Sequence, residues 1–326
     1  MNRFKGIAMI ISGAALWGAT GPLMEWLFGV YGVSVSFLIT LRLAVAGVLL
    51  LVFLKMKGVA ILSVFHGGIW VRQLLIFSVL GMLGVQFSFV SSIETSNAVV
   101  ATLFQFLAPV YIICFISLRY KKFPPKYQII GMAGTIAGLF LLLTNGRLDG
   151  LAISGIALFW GIMVGLAFAF YTLYPGRLME EWGVLLIVGW SMLFGGIFLG
   201  LVHPVFMSDD WHLLAQPSVA LGILAVIIIG TLAFVLFLSS MRFISPVEAS
   251  ILSAFEPLTA MIISALWFGQ FLAPLQLSGA AIMLVFVTWL SLAGTGEKKT
   301  GKYQKDTASE GDSGFHRRAK QAGARK

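Results

Sequence analysis

The chain has 326 residues, 59% of them hydrophobic and 11% charged, with 27 Phe, 9 Trp and 13 Met. Soluble domains carry roughly 25% charged residues, so a globule of this length cannot hide that much apolar surface from water. The net charge of +9 suggests nucleic acid until the basic residues are located: nine of the 22 Lys and Arg follow Gly296, and most others sit between apolar runs, as membrane topology requires.

In chain order, ten runs are long enough to cross roughly 30 Å of hydrocarbon. They are Gly6 to Leu27, Val33 to Leu54, Leu74 to Ser92, Ala98 to Leu118, Gln128 to Leu143, Leu151 to Tyr174, Val184 to Val202, Val219 to Leu238, Val247 to Phe268 and Leu275 to Ala293. No soluble domain fits between them. The first run follows a basic Asn2-Arg3-Phe4-Lys5 as a signal peptide would, but it is too long and nine further spans follow, so it reads as a retained helix. The expected class is an all-α membrane protein of ten transmembrane helices. The single Cys114 allows no internal disulfide, and no Cys/His spacing fits a metal site. No cofactor is expected.

Basic residues mark alternate gaps. Arg3 and Lys5 precede the first span, Lys55, Lys57 and Arg72 follow the second, and Arg119, Lys121, Lys122 and Lys126 follow the fourth. Arg177, Arg242 and the basic tail follow the sixth, eighth and tenth. The opposite gaps hold only Arg147, among Glu25, Glu94, Asp149, Asp209 and Asp210. The positive-inside rule then places both termini in the cytoplasm and the chain in the cell membrane. Residues 296–326 lose their apolar content and read as a disordered cytoplasmic tail. That tail is either a solvated topogenic segment or one drawn to anionic headgroups, at about 1 kcal/mol per basic residue.

An internal repeat runs through the chain. "FVSSIETSNAVVATLFQFLAP" (Phe89 to Pro109) aligns with "FLSSMRFISPVEASILSAFEP" (Phe237 to Pro257) at a constant shift. Phe89, Ser91, Ser92, Ala101 and Pro109 fall on Phe237, Ser239, Ser240, Ala249 and Pro257. The halves are residues 5–145 and 151–295. Each has an odd number of spans, so the second enters the membrane inverted, and Glu94 in an outside gap meets Arg242 in an inside one. Inverted five-helix repeats are a transporter architecture, since two such halves can exchange conformations and open to alternate sides.

Ten spans, "LWGATGP" (Leu16 to Pro22), Arg42, and "AFEP" (Ala254 to Pro257) after "RFISPVEAS" resemble the drug/metabolite transporter superfamily, EamA type, over about residues 5–295. The resemblance implies a bacterial inner-membrane carrier with a central cavity, commonly exporting amino acids, other metabolites or toxic compounds. It names no substrate, because fold does not fix function.

Three charged residues lie well inside predicted spans, and a charge at the bilayer centre costs about 2.5 to 3.5 kcal/mol on insertion scales. Glu248 is close to the cytoplasmic interface, where the helix dipole favours an anion, and reads as a cap. Glu256 lies roughly 13 Å deeper at ~1.5 Å per residue, and Arg42 reaches a similar depth from the other face. Equal depth permits a structural ion pair between them, or a direct substrate or proton role. Pro257 beside Glu256, and Pro109 at the matching place, predict bent helices at a transport site or kinks for packing.

Helical spacing groups Ala249, Ser253, Glu256, Ala260 and Ser264 on one stripe, and Asn97, Ala101, Gln105 and Pro109 on another. Each reads as a cavity wall or a tight helix contact. Trp17 and Thr20 in the first span, Gln86 and Ser88 in the third, and Tyr171 in the sixth complete the candidate substrate-binding set. Gly134/Gly138 and Gly196/Gly200 read as close helix packing.

All four histidines lie in loops or the tail, and HExxH, GxSxG and Gly-rich phosphate-loop motifs are absent. An enzyme is therefore disfavoured, and a membrane receptor or channel using the same helical bundle stays the alternative, though neither predicts the inverted repeat as naturally as a transporter does. The expectation is an alternating-access secondary carrier in the lipid bilayer for a small molecule. Proton coupling and homodimer formation are left open, and no nucleic acid is involved.

Overall fold

The structure, a computed structural model, describes residues 2–147, 153–240, 243–244 and 252–296. Among them all regular structure is helical, as a chain in hydrocarbon must be when each peptide group has to satisfy its neighbours. The helices are α1 (Asn2–Tyr31), α2 (Val35–Met56), α3 (Gly68–Thr95), α4 (Ala98–Gln105), α5 (Ala108–Tyr120), α6 (Lys126–Thr144), α7 (Gly155–Leu173), α8 (Gly176–Trp182), α9 (Val184–Val202), α10 (Pro217–Ser240), α11 (Phe255–Phe268) and α12 (Pro274–Gly296).

Among the described residues eight helical stretches are long and apolar enough to cross a membrane, counting Ala98–Tyr120 as one, and two shorter apolar helices, Phe255–Phe268 and Pro274–Leu290, follow. Sequence length alone predicts ten full spans. The ninth predicted span begins in residues 245–251, which lie outside the described set, as do Glu248, Arg242 and the tail.

The most extensive helix pairings are α6 with α12, α2 with α9, and α1 with α10. Glycines set the distances. A Cβ on Gly138 would stand 2.6 Å from the Gly279 carbonyl oxygen, and one on Gly279 would stand 2.6 Å from the Gly138 carbonyl oxygen, so α6 and α12 touch backbone to backbone. Gly47 and Gly196 do the same for α2 and α9, against Leu193 and Ala44. Gly134 faces the Phe286 ring, and Gly200 faces Thr40. Association inside lipid rests on such van der Waals contact rather than on hydrophobic burial.

The two prolines break their helices where a bend is predicted. Between α4 and α5 the chain turns at Phe106 and Leu107, and Pro109 occupies the first turn of α5. Between Ser253 and α11 it turns again, and Pro257 occupies the first turn of α11. In a first turn a missing N–H leaves no ladder bond unmade, whereas a proline in a continuous helix would collide with a carbonyl one turn earlier. A break is therefore the lower-energy arrangement.

At one end of the bundle, polar side chains tie the sequence halves together. Glu25 accepts from the Ala98 backbone N–H at 2.8 Å and from Gln270 Nε2 at 2.6 Å. Ser34 donates its hydroxyl to Asp210. At the opposite end, Trp190 Nε1 donates to the Ile61 carbonyl at 2.8 Å.

Candidate functional site

A cavity of about 80 Å³ is lined by residues beside both breaks, Gln105 and Glu256. Its walls come from α1, α2, α3, α7, α9 and α10, with Gln105 at the end of α4 and Glu256 at the start of α11. Of the residues predicted from sequence, Trp17, Thr20, Arg42, Gln86, Gln105, Tyr171 and Glu256 line it together.

Arg42 and Glu256 are each 8% exposed. The Arg42 guanidinium rests against Gly230, where a Cβ would stand 3.1 Å from a terminal nitrogen, and Nη1 donates to Met24 Sδ at 3.6 Å. A thioether is a weak acceptor, so most of the five guanidinium donors find no partner among the described residues. Glu256 sits in the first turn of α11, where the free N–H groups and the helix dipole favour an anion. Gly18 lets α1 lie against that turn, since a Cβ there would collide with the Glu256 carbonyl oxygen.

The sequence permits an Arg42–Glu256 ion pair; among the described residues no contact within 4.0 Å joins them. The Gln86 and Gln105 carboxamides likewise form no hydrogen bond among the described residues. Thr20 donates to the Trp17 carbonyl at 2.7 Å, and Thr231 of α10 to Ile227 at 2.6 Å. Two ionisable side chains and two amides thus face one void with hydrogen-bonding capacity unused among the described residues. Such groups cost free energy unless something polar meets them.

The remaining wall is aromatic and soft. Trp17 meets Phe234 edge-on at 5.9 Å, and Tyr171 stacks on Phe77 at 5.3 Å. Met82, Phe89, Phe168 and Met192 complete it. Three facing positions sit at the repeat spacing: Thr20 and Phe168, Met82 and Gly230, Gln86 and Phe234. In two of these pairs the first half supplies a polar side chain and the second an aromatic ring.

Ser88, Asn97 and Ser253 do not line the cavity. Ser88 is buried and donates to its own helix at the Gly84 carbonyl, 2.6 Å away. Asn97 caps α4, its Oδ1 accepting from Val100 N–H at 2.9 Å. Ser253 lies in the turn before α11. The small-residue stripes are mostly packing as well: Ala101, Ala260 and Ser264 are fully buried. Of the ninth-span stripe only Glu256 reaches the void, and Ala249 lies outside the described residues. A second pocket of about 430 Å³, with Glu25, Ser34 and Glu94 on its wall, lies at the end that carries the Glu25 and Asp210 ties.

Sequence reasoning misses one backbone feature of the wall, a π-helical segment at Phe77–Leu83 within α3. It also misses the apolar wall residues, which look the same in sequence whether they face lipid or cavity.

Comparison with known proteins agrees with this architecture. The sequence profile of the EamA-like transporter family matches residues 4–144 and again 155–292. The chain is 38% identical over 290 residues to an uncharacterized inner membrane transporter, YicL, of Salmonella typhimurium, covering 88% of this chain and 95% of that one. It is 27% identical over 226 residues to an uncharacterized transporter of Archaeoglobus fulgidus, covering 67% and 76%. One solved crystal structure shares the fold with a TM-score of 0.61 at 16% identity, over 89% of this chain and 98% of that chain. With two family matches that together span most of its length, the chain belongs to the EamA-like transporter family, within the drug/metabolite transporter superfamily.

Proposed function

We propose that the chain is a secondary transporter working by alternating access, which exports a small metabolite such as an amino acid or a toxic, drug-like compound. The observation that carries the reading is the meeting of Arg42, from the first family match, with Glu256, from the second, on one cavity without an ion pair between them. Ionisable groups left unmatched among the described residues are matched by what passes, and the aromatic side chains of the wall suit a cargo with an aromatic or aliphatic part beside its polar groups.

The architecture proposed is ten spans in two inverted five-helix repeats. The helix starts support it: α6 begins at Lys126 and α12 at Pro274, and the prolines at 109 and 257 follow the two breaks at that same spacing. So does the packing. At this offset α1 corresponds to α7 and α3 to α10, and the pairing of α1 with α10 is mirrored by that of α3 with α7. The pairs α2 with α9 and α6 with α12 each join a helix to its own counterpart, which is what an axis running between them requires.

A void of about 80 Å³ is well below the ~300 to 1,000 Å³ of small-molecule sites. A cargo of amino-acid size therefore needs the walls to part, which favours a moving carrier over a standing pore. Metabolite levels inside and outside the cell, compared between a deletion strain and an overexpressor, test export: a compound shifting in opposite directions in the two strains names the cargo. If no compound does so, export is the wrong direction or the wrong function.

A further inference from the structure

The π-helical segment Phe77–Leu83 lies between two different kinds of surroundings. Segments with i→i+5 bonding are rare and occur often at functional positions. At its start, the fully buried Phe77 stacks on Tyr171, with centroids 5.3 Å apart and planes at 29°. Near its far end Met82 lines the cavity, and Val85 and Gln86 follow in the next turn. Tyr171 lines the cavity too, so the stack forms its boundary on that side. Behind Phe77 pack Val64, Leu74, Leu178 and Ile187, drawn from both family repeats.

Gly81 makes this arrangement possible. A Cβ there would lie 2.6 Å from Cδ2 of the Phe77 ring, so only glycine lets the ring cross the wide turn. The matching stretch of the second repeat, residues 225–231, is α-helical within α10. The fold thus accepts either helical register at this position.

We propose that Phe77–Leu83 is a register hinge and that the Phe77–Tyr171 stack is the gate it operates. Conversion of the segment to α-helical bonding would turn Phe77 by about 100° and move it by about 1.5 Å relative to Met82 and Gln86. That motion lifts the ring from Tyr171 and opens the cavity toward α8, the end that the basic loops assign to the cytoplasm. A packed gate of this kind switches between two arrangements rather than deforming continuously. The inference deepens the transporter reading and rests on it.

Thiol labelling tests it without any cargo. Cys114→Ser removes the native thiol, and Thr231→Cys places one in the cavity wall. Sealed vesicles of either orientation are then treated with a membrane-impermeant maleimide. Two further changes disturb the gate: Phe77→Ala, which removes the ring, and Gly81→Ala, whose Cβ would lie 2.6 Å from that ring in the π register. A gate open about 10% of the time or less at rest predicts roughly tenfold faster labelling in both variants, from the α8 side only. Unchanged rates in monodisperse protein, or equal increases from both sides, overturn the gate. Unchanged labelling in Gly81→Ala overturns the hinge, and unchanged labelling in Phe77→Ala overturns the gate. Intact flux with failed labelling leaves the transporter reading standing, whereas labelling as predicted without flux of any tested compound counts against transport and not against the gate.

Discussion

Arg42 and Glu256 share a cavity wall, each 8% exposed, and no contact within 4.0 Å joins them. Their separation makes a prediction that a buried pair would not. Breaking a buried ion pair costs about 3 to 5 kcal/mol, because the partner is left uncompensated. Arg42→Gln and Glu256→Gln should each insert without loss of thermal stability, since each removes an unmatched buried group, with coupling near zero in the double variant. In proteoliposomes each should lose at least about tenfold in flux, equivalent to roughly 1.4 kcal/mol. Unchanged flux in Glu256→Gln would remove the carboxylate from any part in transport.

The prolines allow a second test. Pro109 and Pro257 lie in first turns, not in helix interiors. Replacing an interior proline by alanine gains about 3 kcal/mol, whereas a first-turn proline is nearly neutral. Pro257→Ala should therefore shift the melting temperature in detergent only slightly, while flux falls, because alanine lets α11 grow back across the turn beside Glu256. A large stabilisation would show that the break is held against a strong helical tendency.

Much of this is legible in the sequence because membranes impose simple rules. Apolar run length predicts the helices, and the spacing of 148 residues that aligns Phe89 with Phe237 also separates the starts of α6 and α12. Polar residues in apolar runs pick out Trp17, Thr20, Arg42, Gln86, Gln105, Tyr171 and Glu256, all on one cavity. The same rule fails for Ser88 because a serine hydroxyl can bond its own helix carbonyl at no cost. It fails for Asn97 because an asparagine just before an apolar run is also the signature of a helix N-cap. Met82, Phe168 and Phe234 carry no signal at all, since lipid and cavity accept the same apolar side chains. The π segment is hidden too, because no side-chain pattern distinguishes i→i+5 from i→i+4 bonding.

Orientation is a third prediction. The basic gaps place both termini on the cytoplasmic side. A reporter fused after Ala293 should be active only as a cytoplasmic fusion, and one fused after Gly146 only as an external fusion. The five spans proposed between Gly146 and Ala293 would put the two fusions on opposite sides. Reversal of both would invert the gate assigned to the α8 end without changing its geometry.

The last prediction concerns the contact of α6 with α12, which has no part in the cavity. Gly138 and Gly279 each present a bare Cα to the other's carbonyl oxygen, with 2.6 Å available to a Cβ on either side. Backbone cannot move aside as a flexible side chain does, so even one methyl forces the helices apart along their length. Gly138→Ala should therefore destabilise by about 1 to 3 kcal/mol, the usual range for overpacking. Gly200→Ala, whose Cβ would stand 3.2 Å from a Thr40 methyl, should cost much less because that side chain can rotate. Thermal unfolding in detergent gives both values, and at permissive temperature the surviving Gly138→Ala protein should keep its flux. Equal stability of the two variants would mean that the helices do not meet through their backbones at Gly138.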